Sequence, residues 1–547
     1  MTKMTGGEAI IKSLRANGVD TVFGLPGGQL DYLFDAMYKE GSDLRLIHTR
    51  HEQGTAYMAY GYAKSTGKVG VCTVVPGPGL LNAAAALCTA WSNYAPVLCI
   101  SGQIPSTGIG KGYGDLHEID DQLGMISHIT KWAESIDHPT LAPSQIGEAF
   151  KQLTTGFPRP VELEMPMDIM AMECEVEVLP AVNNYPKPVI DHEIIAEAVA
   201  LLSQAKKPMI VVGSGALEAS DEVLAVAKVL QAPVMACRSG KGIVSSENYL
   251  SANFPMGHRL WGEADAVLAI GTRLNWPLTM WGKDDDLKIV RVDIDPTQIR
   301  RICDPEVGIV GDSGAVLDAI LASLNAQSHQ ARSREAELTA LKESVHNDMR
   351  EKVGPQMAYL DVIREELPDD GIFVDEVTQV GFVSWYGFPV YKPRQHISAG
   401  YQGTLGYGYA TALGVMAGNM DKRVIQVSGD GGFMFTVQEL ATAVQYQLPL
   451  ITIIFNDHRF TNVQRQQIEW FDGRVISSDL HNPDFVKMAA SFGAAGFSAS
   501  DPESLRVAIQ EAYKEKGPSI IEVEITDFFP APWPFLMMPQ NRKQVCK

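Results

Sequence analysis

The sequence predicts an α/β protein made of three doubly wound parallel-sheet units. Three observations carry this. Short apolar, β-branched runs alternate with helical patterns along most of the chain, the signature of strands crossing over through helices. Many runs end in Gly- and Pro-rich turns, at the strand ends where open α/β sheets hold ligands. A Pro- and Asn-rich stretch at 178–188 and a long polar segment at 327–351 divide the pattern in three. The expected units are residues 1–170, 190–326 and 355–547.

The first unit opens with a helical pattern from Glu8 to Asn17, stopped by Gly18. Thr21 to Gly24 reads as a strand entering Pro26-Gly27-Gly28, and Leu44 to His48 as a strand turning into a helix from Gln53 to Ser65. Val69 to Val75 enters Pro76-Gly77-Pro78-Gly79, a helix runs to Trp91, and Val97 to Ser101 is the next strand. In the second unit, Pro208 to Val212, Ala266 to Ile270 and Ile289 to Asp293 are strands, and in the third, Arg423 to Val427 and Leu450 to Phe455. Gly213-Ser214-Gly215 lacks the third glycine of a dinucleotide fingerprint, and no Gly-x-x-x-x-Gly-Lys run occurs.

Composition bounds the function. The 547 residues are 46% apolar and 20% charged, with a formal charge of −20, an ordinary globular balance. An acidic chain without a Lys/Arg cluster argues against nucleic-acid or anionic-membrane partners. An anionic cofactor would need local backbone dipoles and a metal. Seven scattered cysteines without a C-x-x-C pair point to reduced thiols and a cytoplasmic setting. The first seven residues carry no apolar signal core, and no run of ~18 apolar residues suggests a membrane span.

The densest signal is Ser428-Gly429-Asp430-Gly431-Gly432, with Asn456-Asp457 following 26 residues after Asp430. Each ends an apolar run, and Thr436-Val437-Gln438-Glu439 between them has a capping-box pattern. Strand, helix and strand in one parallel sheet bring both oxygen-rich turns to one edge. There Asp430 and Asp457, with a loop carbonyl, can serve one Mg²⁺ whose other ligands are phosphate and water. The glycines allow close approach of a diphosphate. This spacing resembles the thiamin diphosphate fingerprint.

A second constellation, Arg50-His51-Glu52-Gln53-Gly54, lies at a strand-to-helix junction. Alone, Glu52 reads as a helix N-terminal acid favoured by the dipole. Beside the metal fingerprint it fits the carboxylate that thiamin chemistry needs at the aminopyrimidine ring, so that the thiazolium carbon can be deprotonated and attack a ketone. Leu405, in Gly403-Thr404-Leu405-Gly406, fits the residue that folds the two rings together; its other reading is a core leucine.

With these pieces in place, the whole chain resembles thiamin diphosphate enzymes of the decarboxylase and synthase type, and most of all acetohydroxyacid (acetolactate) synthase catalytic subunits. The matching runs include Phe23 to Gly28, Arg50 to Gly54, Pro76 to Gly79, Ser101 to Pro105, Ile129 to Lys131, Asp293-Ile294-Asp295 and Gly429 to Phe433. The resemblance implies a first unit that binds the pyrimidine, a third that binds the diphosphate, and at least a homodimer with shared active sites; it specifies no regulatory subunit. It implies Glu52 as activator and Asp430, Asp457 and the Arg459 carbonyl as Mg²⁺ ligands. Gly429, Gly431, Gly432, Pro76, Gln379 and Gly403 would border the cofactor. Gln103 and Gly28 would lie near the reacting carbon, with Glu118 and Lys131 near the substrate channel; Lys131 reads equally as a solvated lysine. A structural FAD in the central unit, near Gly213, Arg273 and Asp293, is favoured over a flavin-free unit.

The match breaks in places. Family synthases follow Gly-x-Arg with Phe-Asp-Asp-Arg, whose arginine helps accept a second ketoacid; here the run is Leu274-Asn275-Trp276-Pro277. Gln466 takes the place of a tryptophan, and Gln379-Val380-Gly381 the place of Gln-His-Gln. The expected activity is a carboligase that decarboxylates pyruvate and joins the two-carbon unit to a second 2-ketoacid. The alternative is a decarboxylase that releases an aldehyde. Proton-donating histidines would mark the latter, and Gln29 and Gln103 stand at that edge instead. A non-catalytic sensor would not need Glu52. Pro530 to Phe535 reads either as a lid or as surface packing.

Overall fold

The computed structural model describes residues 1–182 and 184–543. Asn183 of the expected linker and Cys546 lie outside the described residues. Three six-stranded parallel sheets follow one another along the chain. The first contains Thr21–Gly24, Arg45–His48, Gly70–Val74, Val97–Gln103, Trp132–Ser135 and Val161–Pro166. The second runs from Pro208–Val212 to Val307–Val310, and the third from Ile372–Val374 to Ser519–Glu524. Thr2–Thr5 adds an antiparallel ribbon with Glu173–Val176.

Numbered along the chain within each sheet, the first and third share the strand order 2-1-3-4-6-5, whereas the second is 3-2-1-4-5-6. The outer sheets reverse direction between their first and third strands, the central one between its first and fourth. Such switch points open crevices at the carboxyl ends of the strands. The central order is the one seen in dinucleotide-binding sheets, although its first turn lacks the full glycine fingerprint.

The helices Glu52–Thr66 and Gly408–Gly418 lock the outer sheets together. Both are almost wholly buried, and small residues make this possible. A Cβ on Gly61 would stand 2.0 Å from the Thr411 carbonyl, and one on Gly414 1.9 Å from that of Met58. The helices therefore cross with backbone against backbone. One apolar cluster joins Tyr57, Met58 and Ala59 to Tyr407, Ala410 and Leu413. The N-terminus of the first helix, where Glu52 sits, is thus anchored on the third sheet's layer.

Most strand readings hold within a residue or two. The capping box at Thr436 does not form. Thr436 Oγ1 donates to the Gly406 carbonyl (3.2 Å), and the helix begins only at Glu439. Glu439 instead reaches another segment (below), because an interdomain acceptor role outweighs a local cap. Cys303 is disulfide-bonded, which corrects the wholly reduced expectation; such a bond depends on which cysteines the fold brings together, not on C-x-x-C spacing. Pro530 to Phe535 packs. Trp533 lies on Phe382 and Phe535 on Tyr386, with ring centroids 5.7 and 5.4 Å apart. No described helix is long and apolar enough to cross a membrane.

Candidate active site and its relatives

At the carboxyl edge of the first sheet, three turns converge on Gly102. A Cβ there would meet Cβ of Gln29 and Cδ of Pro76, each at 3.1 Å. The end of Val97–Gln103, the Gly28–Gln29 turn and the Pro76–Gly79 turn are therefore one site. Gly28 is exposed at its mouth. Glu52 joins it: its Oε1 lies 3.5 Å from a Cβ placed on Gly79, and its Oε2 accepts from Asn82 Nδ2 at 3.0 Å. Asn82 thereby fixes the carboxylate's orientation and leaves Oε1 free of an intrachain donor. A lone amide in an apolar helix was the signal for it. Gln103 is buried, with Oε1 accepting from Ile104 N (2.8 Å) and Nε2 donating to Glu164 (3.2 Å).

His117 is a residue that the sequence reading missed. Its Nδ1 is 3.2 Å from Gln29 Oε1, and its carbonyl fills the space beside Gly77. Its φ of +70° is uncommon for a residue with a Cβ. A histidine thus stands at this edge beside Gln29. Glu118, next to it, accepts from Gly114 N (2.6 Å) and Asp115 N (2.9 Å), which closes its own loop.

Lys131 is not part of this edge. Its amide bonds the Pro160 carbonyl, just before paired strands that begin at Trp132 and Val161, level with Leu98. Gln103 is five residues further along the neighbouring strand, about 17 Å at ~3.3 Å per residue. The Lys131 ammonium donates to the carbonyls of Gln152, Thr155 and Phe157 at 2.6, 2.8 and 3.1 Å. All three of its N–H bonds are spent. Burial lowers its pKa to about 8. The substrate-channel expectation is corrected: Lys131 ties down a loop.

The third sheet presents the other constellation. Gly429 pairs with Phe455 across parallel strands, so Asp430 and Asn456 emerge side by side, with Asp457 following. Asn482 bridges them, donating to Asp430 Oδ2 (2.6 Å) and Asn456 Oδ1 (2.9 Å). Thr461 donates to Asp457, and Arg459 Nε bonds the Asp457 carbonyl at 2.7 Å. Burial raises both carboxyls, and the Asp430 charge adds to the rise of Asp457, which reaches about 6. Two desolvated, mutually repelling carboxylates call for a cation between them. Among the described residues no third His, Cys, Asp or Glu completes a metal cluster. This suits a cation that takes its remaining ligands from a carbonyl, phosphate and water.

The glycines around Asp430 leave room that a Cβ would fill. One on Gly431 would lie 2.5 Å from Cε1 of Phe460, and one on Gly432 3.6 Å from Cδ2 of Leu405. Leu405 therefore stands over the Asp430 turn, while Gly403 turns its loop at φ +55°. Gln379 is buried; Nε2 donates to Asn462 (2.7 Å) and its Oε1 has no protein donor. The glycine cradle, the aspartate pair and this orphaned acceptor fit a magnesium diphosphate and the polar ring beyond it.

A cavity of about 240 Å³ opens at the switch point of the central sheet. Gly213 and Gly271 meet there, a Cβ on the former lying 2.4 Å from the carbonyl of the latter. Arg273 and Arg238 line it with Cys237, Trp276 and Tyr401. Arg273 donates to the Ser92 carbonyl (2.5 Å) and lies over the rings of Tyr94 and Tyr401. Asp293, raised to about 6 by burial, ends a neighbouring strand and accepts from Asp295 N. The volume is below the ~300–1,000 Å³ of usual small-molecule pockets, so it would enclose only part of a dinucleotide.

Residues 4–125 match the N-terminal TPP-binding domain of thiamine pyrophosphate enzymes, 195–320 their central domain, and 376–523 their C-terminal TPP-binding domain. The probable 2-ketoarginine decarboxylase of Pseudomonas aeruginosa is 32% identical over 95% of this chain and 94% of its own. The probable acetolactate synthase large subunit of Methanocaldococcus jannaschii is 32% identical over 95% of this chain and 92% of its own. The acetolactate synthase isozyme 1 large subunit of Escherichia coli is 29% identical, over 96% and 94%. The chain belongs to the thiamin diphosphate (thiamine pyrophosphate) enzyme family. Within it, it is an enzyme similar over nearly its whole length to acetolactate synthase large subunits.

Proposed function

We propose that the chain decarboxylates a 2-ketoacid such as pyruvate and joins the two-carbon unit to a second 2-ketoacid, a carboligation of the acetolactate synthase kind. The observation that carries ketoacid activation is the pair of half-sites: Glu52, with no donor to Oε1 among the described residues, at the carboxyl edge of the first sheet, and Asp430 with Asp457 at that of the third. The synthase relatives support the ligation step.

Bound thiamin diphosphate would supply the nucleophilic carbon and an electron sink for loss of CO₂. Glu52 holds a proton at the aminopyrimidine nitrogen through Oε1, with Asn82 fixing Oε2. Asp430, Asp457 and the Arg459 carbonyl would hold the Mg²⁺ that neutralises the diphosphate. Gly429, Gly431 and Gly432 admit that diphosphate, Gln379 offers an acceptor, and Leu405 sets the bend between the rings. Gln103, Gly28 and Pro76 would bound the space for the ketoacid.

The central crevice, with Gly213, Arg273 and Asp293, is the place for a structural FAD, its phosphates toward the arginines and the rest extending past the cavity mouth. A visible spectrum of the purified protein tests this. A second copy of the chain is the fitting cover for both half-sites. Leu116 and Tyr113 beside one, and Trp470 and Phe435 beside the other, are 72, 70, 66 and 51% exposed, an apolar exposure that association would remove. Sedimentation with and without cofactor tests the homodimer.

His117 favours a second reading. An imidazole at the first half-site could protonate the two-carbon unit and release an aldehyde, as would suit a relation to the 2-ketoarginine decarboxylase. Pro277 where synthases carry arginine points the same way. Product analysis with pyruvate, thiamin diphosphate and Mg²⁺ separates the two: acetolactate supports carboligation, and acetaldehyde alone overturns it.

A further inference from the structure

We propose that Glu164, a buried acid near the carboxyl end of the strand Val161–Pro166, is a positioning residue that sets the Gln103 amide and, through Gln122, the Pro76–Gly79 turn. The inference rests on the reading that Gln103 and Pro76 border the cofactor and ketoacid.

The geometry makes Glu164 a hub. Its Oε2 accepts from Gln103 Nε2 at 3.2 Å and from Gln122 Nε2 at 2.9 Å. Gln103 Oε1 is already taken by Ile104 N. The amide therefore cannot rotate without losing two bonds, and it has one N–H left to present to the crevice. Gln122 is 2% exposed and carries the second arm. Its Nε2 also reaches the Gly102 carbonyl (3.1 Å) and Ser101 Oγ (3.2 Å), while its Oε1 accepts from Gly77 N at 2.8 Å. Gly77 has φ +56° and starts the turn whose Gly79 abuts Glu52. One carboxylate thus holds both a side chain and a turn of the same half-site.

The acid is not a generic core filler. Replacing it with a leucine would leave the Gln103 Nε2 N–H without its acceptor in a desolvated place and remove one of the three acceptors that face Gln122 Nε2, a costly arrangement. Its surroundings are acidic: Asp121, Asp137 and, two residues back on the same strand face, Glu162. Burial is the main cause of its raised pKa. Glu162 is separately engaged, accepting from Ser101 Oγ at 2.6 Å. The paired amides are what make an acceptor useful at 164.

Both donors face the same oxygen, Oε2, and a glutamine could keep both by placing its one oxygen there, so the test is Glu164→Met, which has similar length and removes the acceptor altogether. With the holoenzyme and pyruvate, we expect kcat/KM to fall about three- to tenfold. We expect the loss to shrink to less than about twofold in a Gln103→Ala background, because the effect travels through that side chain. A loss of equal size in both backgrounds, or kcat/KM equal to wild type in E164M, overturns the Gln103 arm. Gln122→Met keeps Glu164 and removes the acceptor for Gly77 N. Its thiamin diphosphate affinity should fall about three- to tenfold, and unchanged affinity overturns the turn-holding arm whether or not E164M folds. Failure of the wild type to bind thiamin diphosphate would instead refute the underlying reading of the site.

Discussion

The Glu439 carboxylate, on the third sheet's layer, accepts the backbone N–H of Arg50 on the first sheet's edge, its two oxygens lying 3.1 and 3.0 Å away. Thr442 Oγ1 donates to the same carboxylate at 2.7 Å, and a Cβ on Gly54 would press on it at 2.7 Å. The segment just before Glu52 is therefore gripped from the other sheet. Glu439→Ala leaves a desolvated N–H without an acceptor. Stability should fall by about 1–3 kcal/mol, read as a lower urea midpoint at unchanged m-value.

Glu52→Gln removes the group that can hold a proton at Oε1 while keeping the shape that Asn82 contacts. Product formation should fall at least ~100-fold. Thiamin diphosphate affinity, carried by the other half-site, should stay within about threefold. Turnover equal to wild type would remove Glu52 from the activator role.

Gly431→Ala places a methyl 2.5 Å from Phe460 Cε1 and 3.0 Å from Leu480 Cδ1. The nearer neighbour is a ring atom, which cannot yield without moving the whole Phe460 ring. Overpacking of this kind costs about 1–3 kcal/mol, and the shift should weaken cofactor binding as well. A thermal melt and a binding titration of the variant check both parts.

Glu376 supplies a pH signature. It is buried, accepts from Gly408 N at 2.8 Å, and burial raises its pKa to about 8. A carboxyl whose folded pKa lies above its unfolded value contributes stability that is fully present below about 4.5 and lost as pH rises through 8. Lys64 and Lys241, each lowered to about 7 by burial, slope the opposite way. Only a difference isolates Glu376. Without cofactor, wild type should lose stability relative to Glu376→Gln by on the order of a few kcal/mol between pH 5 and 9. A flat difference would contradict the raised value.

The sequence carried the features that depend on local pattern. Pro208–Val212 and Ala266–Ile270 were legible because buried parallel strands are continuous β-branched runs. Asp430, Asp457 and Glu52 were legible because turn chemistry and spacing sit within one strand-helix-strand frame. Lys131 was misread because a lysine's partners are set by tertiary packing, here carbonyls at and just beyond the end of the helix Ala142–Thr154. Thr436 followed a capping rule that a contact between sheets overrode. Gln122 and Glu164 act through bonds to residues 42 to 61 positions away, which no local pattern encodes. The different strand order of the central sheet was likewise invisible, since strand spacing does not state neighbour order.

The central claim is that Asp430 and Asp457 hold one end of a thiamin diphosphate through Mg²⁺. Calorimetric titration of the purified chain with thiamin diphosphate, with and without Mg²⁺, and repeated on Asp457→Asn, tests it most directly. Tight binding that requires Mg²⁺ and weakens at least about tenfold in the variant is the predicted result. Absence of binding, or binding indifferent to both the metal and the substitution, would contradict the account.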